Sequence, residues 1–309
     1  MRFRYILPLI VALLGHNIAV AAPFAYITNT GSDSVSVIDT MTNTVVATVP
    51  VGDFPLGVAV NPAGTRVYTA NLFSDDVSVI DTATNTLAAT VPVGSSPAGV
   101  AVNPSGTRVY VTNRSSNNVS VIDTATNTVV ATVPMGSGPY GVVVNPAGTR
   151  VYVANYLSNN VSVIDTATNT VTATLPAGTT PFGVTVNPAG TRLYVTNDVP
   201  NSVSVINTAT GTVVATVAVG MTPYGVAVNP AGTRVYVTNY GSNNVSVIDT
   251  ATDMVVATVP VGLGPVAFGL FIGPAPTSLD QAGIPYALPA AALGFGLLVL
   301  LGRRCRCRQ

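Results

Sequence analysis

The residues able to do chemistry in this sequence are few and unevenly placed. Its one histidine, His16, and its two cysteines, Cys305 and Cys307, lie near the chain ends, and it has no Glu, Lys or Trp. Apart from hydroxyls, the central region offers only Asp and Tyr as acids or bases, with no imidazole or thiolate for nucleophilic work and without the usual zinc ligands. Gly-x-Gly-x-x-Gly, Walker and haem-attachment motifs are absent, and Cys305-Arg-Cys307 has the wrong spacing for the last. A glycosidase using two Asp stays formally open. Nearly every Asp, however, either recurs as a turn element or sits on one rim, so the expectation is a protein with no catalytic residue, no cofactor and no metal. A cation site at the Asp cluster would lack the spaced Asp-x-Asp-x-Asp-Gly calcium loop.

What remains is binding chemistry or, as the alternative, a purely structural role in the envelope, which the uniform repeats and low charge favour. Asp33, Asp53, Asp75 and Asp76 gather in the first third of the chain, and Tyr140, Tyr156, Phe182, Tyr224 and Tyr240 gather later. Exposed aromatics near Asp and Asn suit sugar rings, whose apolar faces stack and whose hydroxyls need acceptors. The competing reading is that the aromatics plug the mouth of a channel. Expected partners are an envelope or matrix polysaccharide or another surface protein. Eleven Asp from Asp33 to Asp253 outnumber Arg66, Arg108, Arg114, Arg150, Arg192 and Arg234, and this mild acidity argues against nucleic acid.

These side chains are positioned by a repeat. Tyr26, Tyr68, Tyr110, Tyr152, Tyr194 and Tyr236 recur every 42 residues, as do Pro55, Pro97, Pro139, Pro181, Pro223 and Pro265. A strict period of this length means an array of units that bury surface against their neighbours. Each unit holds four β-like runs, for instance Gly99 to Pro104, Val109 to Asn113, Val119 to Asp123 and Val129 to Val133, separated by Asn-Pro-Ala-Gly-Thr and Asp-Thr-Ala-Thr-Asn-Thr turns. Four strands per repeat predict an all-β protein, a β-propeller of six four-stranded blades. The chain enters on a second-type strand at Phe24 and ends on an isolated first-type strand, Gly269 to Pro274, which is expected to complete the first blade and close the ring. Pro50, Pro92, Pro134, Pro176 and Pro260 guard the outer edges, and Ala218 leaves the fifth repeat least protected.

Both Asn-Pro and Asp-Thr turns fall at one end of every blade and hardly vary, whereas the other two connections vary and carry the candidate binding residues. On the uniform end, the series of Arg66, Arg108, Arg150, Arg192 and Arg234 is expected to pair across strands with Asp81, Asp123, Asp165 and Asp249. The series of Asn29, Asn71, Asn113, Asn155, Asn197 and Asn239 is expected to cap the following loop as Asx turns.

The runs Val109-Tyr110-Val111-Thr112-Asn113 and Val237-Thr238-Asn239 resemble the YVTN family of β-propeller repeat proteins, which includes bacterial and archaeal surface proteins. The resemblance extends from about Phe24 to Pro274. Members of that family are often seven-bladed, and this sequence, with six repeats, departs from them.

The ends carry addresses. Arg2 and Arg4, the apolar run Tyr5 to Leu14 and Ala19-Val20-Ala21 read as a secretory signal cut after Ala21. The alternative, an uncleaved anchor, has too short a core to span comfortably. Ile284 to Leu301 is uncharged, long enough to cross a bilayer, and followed by Arg303, Arg304, Arg306 and Arg308, which would stay cytoplasmic and leave the propeller outside. Ile284 to Ala291 with the Gly-rich run after it resembles the PEP-CTERM, IPTL-CTERM and VPLPA sorting signals, which would imply removal by an exosortase-type protease; otherwise the segment is a plain anchor. The expected organisation is signal 1–21, propeller 22–276, linker 277–283 and membrane or sorting segment 284–309, in an exported protein on the periplasmic side or the cell surface.

Overall fold

The computed structural model describes residues 24–267, all of whose regular structure is β-strand. The expected signal, the expected closing strand Gly269 to Pro274, and the expected linker and tail segment lie outside the described residues. By contacts the chain separates into Ala22–Pro274 and a second unit of Met1–Ala21 with Ala275–Gln309. No helix among the described residues is long and apolar enough to cross a membrane.

Blade one contains β1 (Phe24–Asn29), β2 (Ser34–Asp39) and β3 (Thr44–Pro50). Blade two contains β4 (Pro55–Val60), β5 (Arg66–Asn71), β6 (Asp76–Asp81) and β7 (Thr86–Pro92), and blade three β8 (Pro97–Val102), β9 (Arg108–Asn113), β10 (Asn118–Asp123) and β11 (Thr128–Pro134). Blade four follows with β12 (Pro139–Val144), β13 (Arg150–Asn155), β14 (Asn160–Asp165) and β15 (Thr170–Pro176). Blade five has β16 (Thr179–Val186), β17 (Arg192–Val199), β18 (Ser202–Asn207) and β19 (Val213–Ala218), and blade six β20 (Pro223–Val228), β21 (Arg234–Asn239), β22 (Asn244–Asp249) and β23 (Met254–Pro260). Strands pair antiparallel in sequence order within each blade, and β4, β8, β12, β16 and β20 stand as inner strands next to one another. The fold is a six-bladed β-propeller, as the repeat predicts; five blades show all four strands among the described residues and blade one shows its outer three.

The alternation of Val, Tyr, Thr and Ile makes strands, and stacking makes the core. In β9, Val109, Tyr110, Val111 and Thr112 are all buried, because a blade is covered on both faces by its neighbours. Tyr68, Val77, Val79 and Val91 of blade two pack on Val100, Val109, Val111 and Ile122 of blade three, and a similar apolar core fills each of the five junctions from blade one to blade six. The outer strands are blunted twice. A bulge interrupts pairing, as between Val121 and Ile122 against β11, and Pro134 ends the strand without a hydrogen to donate.

Turn chemistry follows the sequence. Asn61 Oδ1 accepts from the amides of Thr65 and Arg66 around Gly64, whose φ of 67° suits a residue without a Cβ. Asp81 Oδ1 likewise accepts from the amides of Ala83 and Thr84.

The junction of blade six with blade one differs from the other five. Ile27 is 49% exposed where Val111, Val153, Val195 and Val237 are fully buried, and Val259 is 46% exposed where Val49, Val91 and Val133 are 2% exposed. The described residues thus leave two apolar walls uncovered at the place where the chain is expected to close.

Candidate ligand-binding face

The variable end is built from loops that are pinned between blades. Asp33, Asp75, Asn117, Asn159, Asn201 and Asn243 all have positive φ, a conformation that Asn and Asp tolerate better than most residues. Each Oδ1 accepts a backbone N–H of the loop entering the next blade, from Phe54, Ser96, Gly138, Thr180, Thr222 and Gly264 respectively, at 2.8–2.9 Å. Asp33 and Asp75 are therefore staples as well as charges. Asp53 is exposed and its amide donates to Ser74 Oγ. Asp76 accepts from Asn71 Nδ2 at 2.6 Å; burial pushes its carboxyl up, the Asn71 bond lowers it, and the charges of Asp53 and Asp75 raise it further.

The Asn series departs from expectation. Asn71, Asn113, Asn155, Asn197 and Asn239 are fully buried and do not cap the loop after them. Their Nδ2 groups donate across to the third strand instead, to Ser78, Ser120, Ser162, Ser204 and Ser246 at 2.8–2.9 Å. The side chain of Asn points into the junction because β5 and its equivalents are covered on both faces. Gly52, Gly94, Gly136, Gly178 and Gly220 lie so close to these amides that an added Cβ would collide with them.

The aromatic residues meet. Phe182 is buried, with the rings of Tyr224, Tyr156 and Tyr140 centred 4.4, 4.6 and 5.0 Å from its own, and Tyr240 lies 5.4 Å from Tyr224. Tyr140 and Tyr224 are the second residues of inner strands β12 and β20, and Phe182 is the fourth residue of β16, each directly after the repeated Pro; Tyr156 and Tyr240 begin the loops after β13 and β21. The backbone of two of them is held from the preceding blade: Thr112 Oγ1 donates to the Tyr140 carbonyl at 2.7 Å and Thr196 Oγ1 to the Tyr224 carbonyl at 2.9 Å. Gly99 and Gly183 make that approach possible, since a Cβ on either would strike the same carbonyls. Phe182 thus acts as a buttress, while Tyr140, Tyr156 and Tyr224 are half-buried and Tyr240 is exposed.

Two charged residues join this stack that the composition-based reading did not single out. Arg114 places its guanidinium carbon 5.9 Å from the Tyr140 ring centroid, within reach of a cation–π contact. Asp198 acts on the Tyr224 hydroxyl, whose pKa is raised by burial first and by Asp198, Tyr156 and Tyr240 after it, with Arg114 opposing. Burial likewise raises Tyr140, with Arg114 pulling the other way. Position within the repeat could have found both, because Arg114 and Asp198 occupy the slot of Leu72, Tyr156 and Tyr240 in their own blades. The acidic residues and the aromatics occupy different sectors: Asp33, Asp53, Asp75 and Asp76 belong to blades one and two, where a separate pair, Phe54 and Phe73, lies with ring centroids 4.9 Å apart.

At the opposite end the ion pairs are those expected in three blades: Arg66 with Asp81, Arg108 with Asp123 at 2.6 Å, and Arg234 with Asp249. Arg192 pairs with Asp253 instead, because Asn207 stands where the other blades have Asp. Arg150 faces Asp165 in register, yet this pair is not among the four ion pairs of the described residues. Two clefts of about 270 Å³ open on the flank, one lined by Gly94, Asn118, Ser120 and Thr132 and one by Gly220, Asn244, Ser246 and Thr258. Neither shares a residue with the ring stack.

The sequence profile of the family described as "Lactonase, 7-bladed beta-propeller" matches residues 81–175. No curated protein matches this chain. Among solved structures, a chain of Kuenenia stuttgartiensis hydrazine synthase is similar at 26% identity and a TM-score of 0.72, over 78% of this chain and 84% of that one. A functionally unknown protein from Desulfotomaculum acetoxidans DSM 771 is similar at 19% identity and a TM-score of 0.70, over 81% of this chain and 86% of that one, a likeness of fold alone.

Proposed function

We propose that the protein is an exported, non-catalytic binding module of the YVTN type whose variable end takes a polysaccharide of the envelope or surrounding matrix. The observation that carries this reading is the ring stack on Phe182, which presents tyrosine faces and hydroxyls beside Arg114 and Asp198. Sugar rings offer apolar faces for stacking and hydroxyls for hydrogen bonds, and sites of this kind sit on loops over a rigid frame. Burial raises the pKa of the Tyr140 and Tyr224 hydroxyls above that of an ordinary tyrosine, which is itself protonated at neutral pH.

A hydrolase reading would draw on the lactonase-type match. Within residues 81–175, however, the titratable side chains are Asp, Arg and Tyr only, and Asp81, Asp123 and Asp165 are engaged with the backbone of their own hairpin turns. The deciding experiment is a glycan array with Tyr140→Ala and Tyr224→Ala, alongside thermal unfolding. Binding by the native protein, weakened in both variants at nearly unchanged Tm, supports the reading. Loss of about 3 kcal/mol of stability with no glycan bound by the native protein would make the stack a plug of the channel mouth.

A further inference from the structure

Besides the ring stack, the loops of the same end carry apolar residues that belong to none of the apolar cores between blades. Phe73, Leu157 and Met221 are 69%, 63% and 59% exposed, and Leu263 is 90% exposed. The frame does not require them. Other blades place Gly31, Ser115, Val199 and Gly241 in the slot of Phe73 and Leu157, and Asp53, Ser95, Ser137 and Thr179 in the slot of Met221 and Leu263. Large apolar side chains gathered at one end of a ring mark an interaction surface when they exceed scattered exposure.

The charges of this end are also surplus to the fold. Four of the six staple positions are Asn, and each makes the same bond to the next loop that Asp33 and Asp75 make. Asp76 accepts from Asn71 as Asn118, Asn160 and Asn244 accept from Asn113, Asn155 and Asn239, and its burial raises its pKa, a cost the amide avoids. Asp33, Asp53, Asp75, Asp76 and Asp198 face a single cation, Arg114, at this end of the described residues. Such a field repels anions and steers cations.

We infer that the variable end docks a protein partner through a segment in which apolar side chains adjoin a Lys/Arg cluster. The apolar residues seat on Leu157, Met221 and Phe73, and the basic cluster lies over the carboxylates of blades one and two. An interface of apolar anchors beside charges of opposite sign has this composition. A lipid surface fits less well, because the field disfavours anionic headgroups and neutral ones leave the carboxylates unmatched. The inference does not rest on the glycan reading, which concerns the Tyr140 and Tyr224 rings.

The test uses the full chain and three synthetic peptides, Leu/Lys, Leu/Glu and Ser/Lys, with phosphatidylcholine vesicles as a further arm, read by fluorescence anisotropy and cosedimentation. The expected result is binding of the Leu/Lys peptide at least about tenfold tighter than the other two, weakening as ionic strength rises toward ~0.5 M. Asp33→Asn with Asp75→Asn, which keeps the staple found in the other blades, should weaken binding several-fold. Leu157→Ser with Met221→Ser should abolish it, while glycan binding, where present, stays unchanged. Equal binding of all three peptides, preference for Leu/Glu, binding to vesicles alone, or no binding would overturn the inference. The salt dependence of the native protein gives an answer even if a variant fails to fold.

Discussion

Arg192 reaches out of its own blade: its Nη1 lies 2.9 Å from Asp253 Oδ1 in blade six, whereas Arg66, Arg108 and Arg234 pair across strands of one blade. The cause is a single replacement, Asn207, at the end of β18. Both partners are partly solvated, so the pair is worth at most about 1 kcal/mol. Asn207→Asp should draw Arg192 back across its own hairpin with little change in stability, and a double-mutant cycle on Arg192→Ala and Asp253→Asn should give a coupling below about 1 kcal/mol. A larger coupling would mean that this contact ties blades five and six together.

The buried Asn clamp makes a sharper demand. An Asx cap accepts hydrogen bonds and would tolerate Asp, whereas Asn113 donates through Nδ2 to Ser120 Oγ and Asn118 Oδ1. Asn113→Asp replaces that donor with a buried carboxylate facing the Asn118 amide oxygen, an acceptor, with the Ser120 hydroxyl as the one group that could turn to donate. The expected loss is on the order of 3 kcal/mol in denaturant unfolding, and a neutral result would restore the capping role.

Acid stability should be set by the hairpin turns. Backbone amides hold Asp81, Asp123, Asp165 and Asp249 below the usual carboxylate range, from Thr84, Thr126, Thr168 and Ala251 first, with Arg partners adding to the shift. With folded values below unfolded ones, the stabilisation is complete above the unfolded pKa of about 3.9 and is lost as pH falls through the folded values. Asn207 makes the same turn bonds without a charge, to Ala209 and Thr210. The quadruple Asp→Asn variant should therefore keep its fold and show a flatter fall of Tm below about pH 4; an unchanged acid limb would place the titrating groups elsewhere.

The exposed walls of Ile27 and Val259 bear on ring closure. Phe268 to Ala275 reads Phe-Gly-Leu-Phe-Ile-Gly-Pro-Ala, matching Tyr224 to Ala231, Tyr-Gly-Val-Ala-Val-Asn-Pro-Ala, in the inner-strand motif of blade six. Deleting residues 268–276 should lower stability by about 3 kcal/mol or more, since each wall residue is worth roughly 1.5–3 kcal/mol when buried, and should promote association through the uncovered edges. A monomeric truncated chain of unchanged Tm would show that the ring does not need this strand.

What the sequence determined by itself was everything set by near neighbours: the 42-residue period, the four strands of each unit, the Asx and Gly turns, and the proline defence of the outer edges. These follow from alternation and from hydrogen bonds spanning two to five residues, such as Asp81 to Ala83 and Asn61 to Arg66. The gathering of Asp in the early blades and of aromatics in the later ones was legible too, because comparing repeats within one chain shows which slots vary. Tertiary structure decided what those side chains touch. Thr112 finds the Tyr140 carbonyl 28 residues on, Asp75 the Ser96 amide 21 residues on, and Arg192 a carboxylate 61 residues on. Such partners are fixed by the angle at which one blade stacks on the next, and no local pattern encodes that angle. The same wrapping buries Asn113 on both faces, turning an expected cap into a donor, and brings Arg114 and Asp198 to a ring stack that begins with residues far from them in sequence.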